Sequence, residues 1–254
     1  MRFAIFTGCL AVSATMAIAQ EVTLTDEVQG GVDLIDQVGE DIHPDTQAAR
    51  ELYIAGDYDA AMALALPRAE AGDPVAQNLV GVALTEPDSC CGMAYDPAAG
   101  LAMYEAAAAQ GDFRAWNNIG LFWQNDHPGF GLDVKKAHDA NLASWELGNA
   151  LAGENLGQFY LNGWGVGIDY DQARHYFTAA YQAGSDDAAF HLGDMAYFGY
   201  GQLVNYSQAF DYFDYAARRD HAESVASLGY MYLYGEGTRS DLTSAYLLSD
   251  RAYR

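Results

Sequence analysis

Lysine is almost missing from this 254-residue chain: Lys135 and Lys136 are the only two, and all Lys and Arg number 12 against 35 Asp and Glu, a formal net charge of −23. A surface this acidic repels phosphate backbones and anionic lipid heads, which excludes nucleic acid as a partner. Long apolar runs are absent beyond the N-terminus, where no stretch reaches the ~18 uncharged apolar residues of a membrane span. Cysteine is sparse at three residues, Cys9, Cys90 and Cys91. No Ser-x-x-Lys, Gly-x-Ser-x-Gly, His-Glu-x-x-His, Cys-x-x-Cys or calcium-loop pattern occurs, so the chain offers no catalytic, metal or cofactor signature. The six histidines show no i, i+4 pairing; His175 and His191 fall on neighbouring helices, where packing between helices explains them better than a shared ligand.

What is present begins with an export signal. Arg2, the apolar run Phe3 to Ile18 and the small-residue pattern Ala17-Ile18-Ala19 before Gln20 predict a secretory signal peptide over 1–19, cut after Ala19. A lipidated Cys9 has too little apolar segment before it. After cleavage eleven Lys plus Arg remain against 35 acids, a charge of −24, and the expected compartment is periplasmic or secreted. Residues 20–45 carry no Lys or Arg and read as an acidic, solvated N-terminal tail. In an oxidising compartment the adjacent pair Cys90-Cys91 has three readings. One is a vicinal disulfide, strained because neighbouring Cα atoms lie ~3.8 Å apart against the usual ~4.4–6.8 Å. The others are an intermolecular bridge and free thiols in a loop. A metal site is disfavoured for want of spaced ligands.

From residue 46 to 254 the chain repeats itself. A glycine inside an apolar run recurs at Gly81, Gly120, Gly157, Gly193 and Gly229; a unit-closing residue recurs at Gly72, Gly111, Gly148, Gly184 and Asp220. A short polar residue stands four before a small one at Asp57, Asp96, Asp133, Asp169, Asn205 and Asp241. All three registers share spacings of 36 to 39 residues. The polar series fits the N-cap of a second helix, where it accepts from orphan backbone donors and contributes ~0.5–2 kcal/mol; Gln172 and Gln208 would complete capping boxes. Gly163-x-Gly165, Gly199-x-Gly201 and Gly235-x-Gly237 fit the end of a first helix, where positive φ is required. No strand precedes them and no Lys-Ser/Thr follows, so phosphate cradling is excluded. Each intrahelical glycine costs ~1 kcal/mol relative to alanine, a cost that close helix approach would offset. Ala76, Ala115, Ala152 and Ala188 share one register for the same reason.

The periodicity predicts first helices over 46–55, 74–85, 113–124, 150–161, 186–198 and 222–234, and second helices over 58–71, 97–110, 134–147, 170–183, 206–219 and 242–253. Short connections make each pair an antiparallel hairpin. The expected fold is all-α, a right-handed α-solenoid of about six such pairs.

The pattern A-x-x-x-L-G-x-x-Y-x-x-G-x-G, then D-x-x-x-A, then A-A-x-x-G, strongest at 150–237, resembles Sel1-like repeats, relatives of tetratricopeptide repeats. The resemblance covers residues 46–254 and weakens at 74–148, where the loops 85–95 and 124–132 replace the Gly-x-Gly turn. It implies a protein-interaction scaffold; among exported members the chain looks most like periplasmic regulators of exopolysaccharide synthesis that restrain a sensor kinase. Many secreted members staple each helix pair with a disulfide, and this chain lacks those cysteines. The first helices of such solenoids line the concave face, with outward positions three before and one, four and five after the intrahelical glycine. That register nominates Asn78, Asn117, Gln124, Asn125, Glu154, Gln158, Asn162, Asp194, Tyr197, Tyr230 and Tyr234 as a groove for another envelope protein or peptide segment.

Two other functions follow from different features. Some cysteine-rich Sel1-like proteins are described as β-lactam-binding, which would make this chain a hydrolase or β-lactam-binding enzyme, although neither lysine stands three residues after a serine. Cys90-Cys91 would make it a redox-responsive adaptor. At the C-terminus Tyr246, Leu247, Leu248 and Tyr253 lie on a last helix with no polar cap, and solenoid ends need one for solubility. Self-association through that helix, or a partner docked on it, is therefore expected.

Overall fold

The computed structural model describes residues 42–86 and 93–252. The expected export signal, nearly all of the expected acidic tail, Cys90, Cys91 and Tyr253 lie outside the described residues. Among those described there are twelve helices and no strand. They run α1 (Pro44–Ile54), α2 (Tyr58–Glu70), α3 (Pro74–Thr85), α4 (Pro97–Ala108), α5 (Phe113–Gln124) and α6 (Val134–Glu146). The second half continues with α7 (Ala152–Asn162), α8 (Tyr170–Gln182), α9 (Asp186–Phe198), α10 (Tyr206–Ala217), α11 (Ala222–Tyr234) and α12 (Leu242–Ala252). Each helix packs mainly on its sequence neighbours, so the six pairs stack into a solenoid.

The cap series performs as its chemistry dictates. Asp57, Asp96, Asp133, Asp169, Asn205 and Asp241 each accept a backbone N–H from the first turn of the second helix, at 2.9–3.3 Å. The expected capping boxes are not completed by Gln172 and Gln208. The backbone N–H they would need is already spent: Asp169 N donates to Tyr160 O at 2.9 Å and Asn205 N to Ala196 O at 2.8 Å. The same tie from cap to preceding helix recurs at Asp57, Asp96, Asp133 and Asp241. It folds the second helix back on the first, so the cap residue closes the hairpin as well as starting the helix.

Two helix starts depart from expectation, and α4 and α10 end two residues early, at Ala108 and Ala217. α1 starts at Pro44 rather than residue 46, because His43 caps it by accepting from Asp45 N at 3.2 Å. α7 starts at Ala152 rather than residue 150. Asn149, which stands where Asp73, Asp112, Ser185 and His221 cap the other first helices, accepts from Leu151 N at 3.2 Å. Three tight i→i−3 bonds, from Ala152, Gly153 and Glu154, then precede the regular helix.

Small residues set the helix approach. Ala76, Ala115, Ala152 and Ala188 are fully buried. A Cβ added at Gly81, Gly120, Gly157 or Gly193 would stand 2.3–2.6 Å from Tyr104, Asn141, Phe177 or Phe213 of the facing second helix. Gly229 is the exception: Ser249 occupies the register position of those large side chains, and the nearest atoms are 3.5 Å away. The unit-closing residues all take positive φ, including the non-glycine Asp220 at 68°.

Candidate functional site

The first helices form a row tied by short side chains. Asn118 of α5 donates to Asn78 of α3 at 2.8 Å, and Asn155 of α7 donates to Asn117 of α5 at 3.4 Å. Asparagines reach little beyond the backbone, so these bonds mark first helices packed close side by side. The second helices are bridged by larger groups such as the Tyr181 ring on Tyr212 and Tyr215, at 5.5 and 4.8 Å. The first-helix row carries the nominated residues and forms one face of the stack, the inner face of the expected groove.

The eleven nominated residues are all partly or fully exposed on these first helices or at their ends. Their chemistry differs along the row. Asn78 and Asn117 are acceptors in the asparagine ties, and Glu154 accepts from Ser185 Oγ at 2.9 Å. Gln124, Asn125 and Asn162 donate to the carbonyl four residues earlier in their own helix. Gln158 points its amide to no partner among the described residues. Tyr197 donates to Glu236 at 2.5 Å, and the rings of Tyr230 and Tyr234 lie 4.4 Å apart.

Several inner-face residues were missed by the transferred register. Asn118, Asn155, His191 and Ser227 each stand two before the intrahelical glycine, a position polar in four of the five units that could have been added from the sequence. Asn155 also donates to the fully buried Asn141 at 2.9 Å, and Asn141 donates to Ala137 O, so this polar network replaces the aromatic ring of neighbouring units. Glu236, Ser185, Asp187 and His221 carried no usable signal, because their partners come from an adjacent unit.

The electrostatics concentrate in the last three units. Asp186 and Asp187 stand in the first turn of α9, where they complement the helix dipole, and also reach the next unit: Asp186 pairs with Arg219 at 2.8 Å and Asp187 with His221 Nε2 at 2.8 Å. Burial alone would lower the His221 pKa, but the hydrogen bond to Asp187 raises it above the ordinary histidine value; the same bond lowers Asp187. His191 stacks on Phe177 at 4.8 Å, and burial pushes it down to about 4. His175 packs edge-on to Trp145 and Tyr176, so the two histidines serve aromatic packing rather than a shared site. Asp194 opens on a small cavity lined by Tyr197, Phe198, Phe213, Ser227 and Tyr230, and burial pushes its carboxyl up to about 7. Burial first, then the Glu236 carboxylate, raises the Tyr197 phenol far above its ordinary value.

Both lysines are engaged away from any serine. Lys135 pairs with Asp139 at 3.3 Å, and Lys136 lies 3.7 Å over the Trp123 ring beside Asp133. Among the described residues no group of three His, Cys, Asp or Glu is arranged to hold a metal, and no helix is long and apolar enough to cross a membrane.

Comparison with solved structures places this fold among known ones. A Sel1 repeat protein from Oxalobacter formigenes superposes with a TM-score of 0.74 at 23% identity, covering 83% of this chain and 82% of that one. The protective antigen c5321 of uropathogenic Escherichia coli, which displays an SLR fold, gives 0.69 at 22% identity; 90% of this chain is covered but only 48% of that one. The immunity protein Pa5087 from Pseudomonas aeruginosa gives 0.59 at 15% identity, with 86% and 84% covered. No curated protein matches. Sel1 repeat matches are found at residues 74–112, 151–185, 186–221 and 222–254. Those four stretches span more than half of the chain and coincide with the helix pairs and their glycine registers: the chain belongs to the Sel1 repeat family.

Proposed function

We propose that this chain is an exported scaffold or signalling regulator whose inner face binds an extracytoplasmic segment of another envelope protein. Sel1 repeats generally serve protein–protein interaction. The observation that supports the groove is the row of first helices, with Gln158 unpartnered among the described residues near its middle and Tyr234 57% exposed at its end. Amides and tyrosines supply adaptable hydrogen bonds and rigid contact area at recognition surfaces. The signal at residues 1–19 supports a periplasmic or secreted location, where a regulator of exopolysaccharide synthesis would work.

In an affinity pull-down from an envelope fraction, Gln158→Ala with Tyr234→Ala should remove most of the recovered partner, by about tenfold or more. Tyr215→Ala on the outer row should leave recovery near its starting level. Equal recovery by all variants would place the interface elsewhere.

A second contact surface is proposed at α12. Met62, Leu101 and Phe210, which stand at one register of the second helices, are packed in the interior of the stack. Tyr246 holds that register in α12 and is 73% exposed, flanked by Leu242 and Leu247 at 68% and 61%. The occupant is a second copy, joined through the same stacking face. Sedimentation of the unaltered protein should show a concentration-dependent dimer that Tyr246→Lys with Leu247→Lys abolishes. A monomer at the highest soluble concentration would sink this contact.

A further inference from the structure

The inner face is furnished for a particular kind of contact. Around Asp194 of α9 the walls are Tyr197, Phe198, Phe213 and Tyr230, with Ser227 as the remaining polar group. Phe213 is buried beneath them, and Tyr197 is held by its bond to Glu236. The space between them is about 10 Å³, room for one water-sized sphere, and it opens to solvent. The Asp194 carboxylate accepts no hydrogen bond from the described residues. His221 is the one cationic group acting on it, and that imidazole is committed to Asp187.

A carboxylate removed from water without a donor is costly, and among the described residues only the charge of His221 offsets that cost. Aromatic faces carry a negative quadrupole that attracts cations. A carboxylate and aromatic rings lining one small opening therefore favour one class of guest, a compact cation. The size selects further: an ammonium group is comparable to a water molecule, whereas a planar guanidinium needs more room. The acidic surface, at −23 overall, would draw a basic segment toward the groove at long range. We infer that the Asp194 cleft is the seat of a lysine ammonium carried by a basic segment of the partner, anchored by the Asp194 carboxylate between the Tyr197 and Tyr230 rings. This assignment rests on the groove reading above and gives it a partner chemistry: a lysine-bearing peptide rather than an acidic or apolar one.

The probe is a short fluorescent peptide of alternating lysine and alanine, followed by anisotropy at about pH 8, where Asp194 is ionised and at ~0.15 M salt. The unaltered protein should bind it, and Asp194→Asn should weaken binding about tenfold or more. Asp139→Asn, which removes the same charge from an exposed position of α6, should change it less than about twofold. Tyr230→Leu, which keeps apolar volume but loses the ring, should weaken it about threefold or more. Each variant is first checked for unaltered helical circular dichroism, and the two cleft variants supply independent readings if one fails to fold. Equal weakening by Asp194→Asn and Asp139→Asn would reduce the effect to general acidity and overturn the assignment, as would no binding by the unaltered protein. If the envelope partner is lost with Gln158→Ala and Tyr234→Ala but kept with Asp194→Asn, the groove stands and the lysine seat falls.

Discussion

Truncating Phe177 to alanine should destabilise the protein by ~3–5 kcal/mol, measured by urea unfolding. The ring is fully buried and joins two repeats. On one side it faces Gly157 of its own hairpin; on the other it stacks on His191 of α9 and packs with Ala188, Leu192 and Met195. A solenoid has only nearest-neighbour interfaces, so a cavity at this joint weakens coupling between the two halves and should also broaden the transition. Gly157→Ala tests the same joint from the other side. Helix propensity would favour alanine by ~1 kcal/mol, but its Cβ would lie 2.5 Å from Phe177 Cδ1 and 2.8 Å from Cγ. The near edge of the ring cannot swing away, so overpacking of ~1–3 kcal/mol should win. In the Phe177→Ala background the clash is gone and Gly157→Ala should become stabilising. Simple additivity of the two changes would show that the glycine is not there for the ring.

Asp194→Asn should raise stability at about pH 8 by roughly 2 kcal/mol and change it little near pH 4. Burial holds the folded carboxyl at about 7 against an ordinary value of 3.8. A raised carboxylate pKa means that the folded state keeps its proton while the unfolded chain has lost it. The stability it contributes is therefore present at low pH and is lost as pH climbs from about 4 toward 7. The full linkage is ~1.4 kcal/mol per pH unit, and the opening of the cleft to solvent discounts it. The groups facing this carboxylate or adjoining it are Tyr197 and His191 on its own helix, Tyr230 on α11, the α11 cap His221 and, across Tyr197, Glu236. Comparing variant with parent at each pH removes the background from the other acids. A pH-independent difference would show that Asp194 is solvated and already ionised near pH 4. The destabilised carboxylate and the proposed lysine seat are one feature: a group that is costly alone gains a partner on binding.

The sequence register located every second-helix cap because a cap is local: Asp169 needs only Gln172 N and Asp171 N, within three residues. It located the close helix approaches because glycine and alanine recur where bulk is forbidden. Gln172 misled for an equally physical reason. A capping box needs a free backbone donor, and the Asp169 N–H is used by Tyr160 O, nine residues back. The groove register nominates Asp194, Tyr197 and Tyr230, which line the cleft; Phe198, at the last outward position of the same unit, lines it too, and its apolar ring carries no hydrogen-bonding signal in the sequence.

The sequence by itself determined the helix pairs, their caps, the glycine-limited packing and the Sel1 repeat pattern, because each is written within one period of about 36 residues. Only the tertiary structure decided which polar groups meet. His221 and Asp187 are 34 residues apart, Tyr197 and Glu236 39, and Asn155 and Asn117 38. Such pairs depend on how one repeat is placed against the next, and no single period of the sequence encodes that placement. Stacking also buries Asp194 without giving it a donor among the described residues, and so sets one acid among 35 chemically apart.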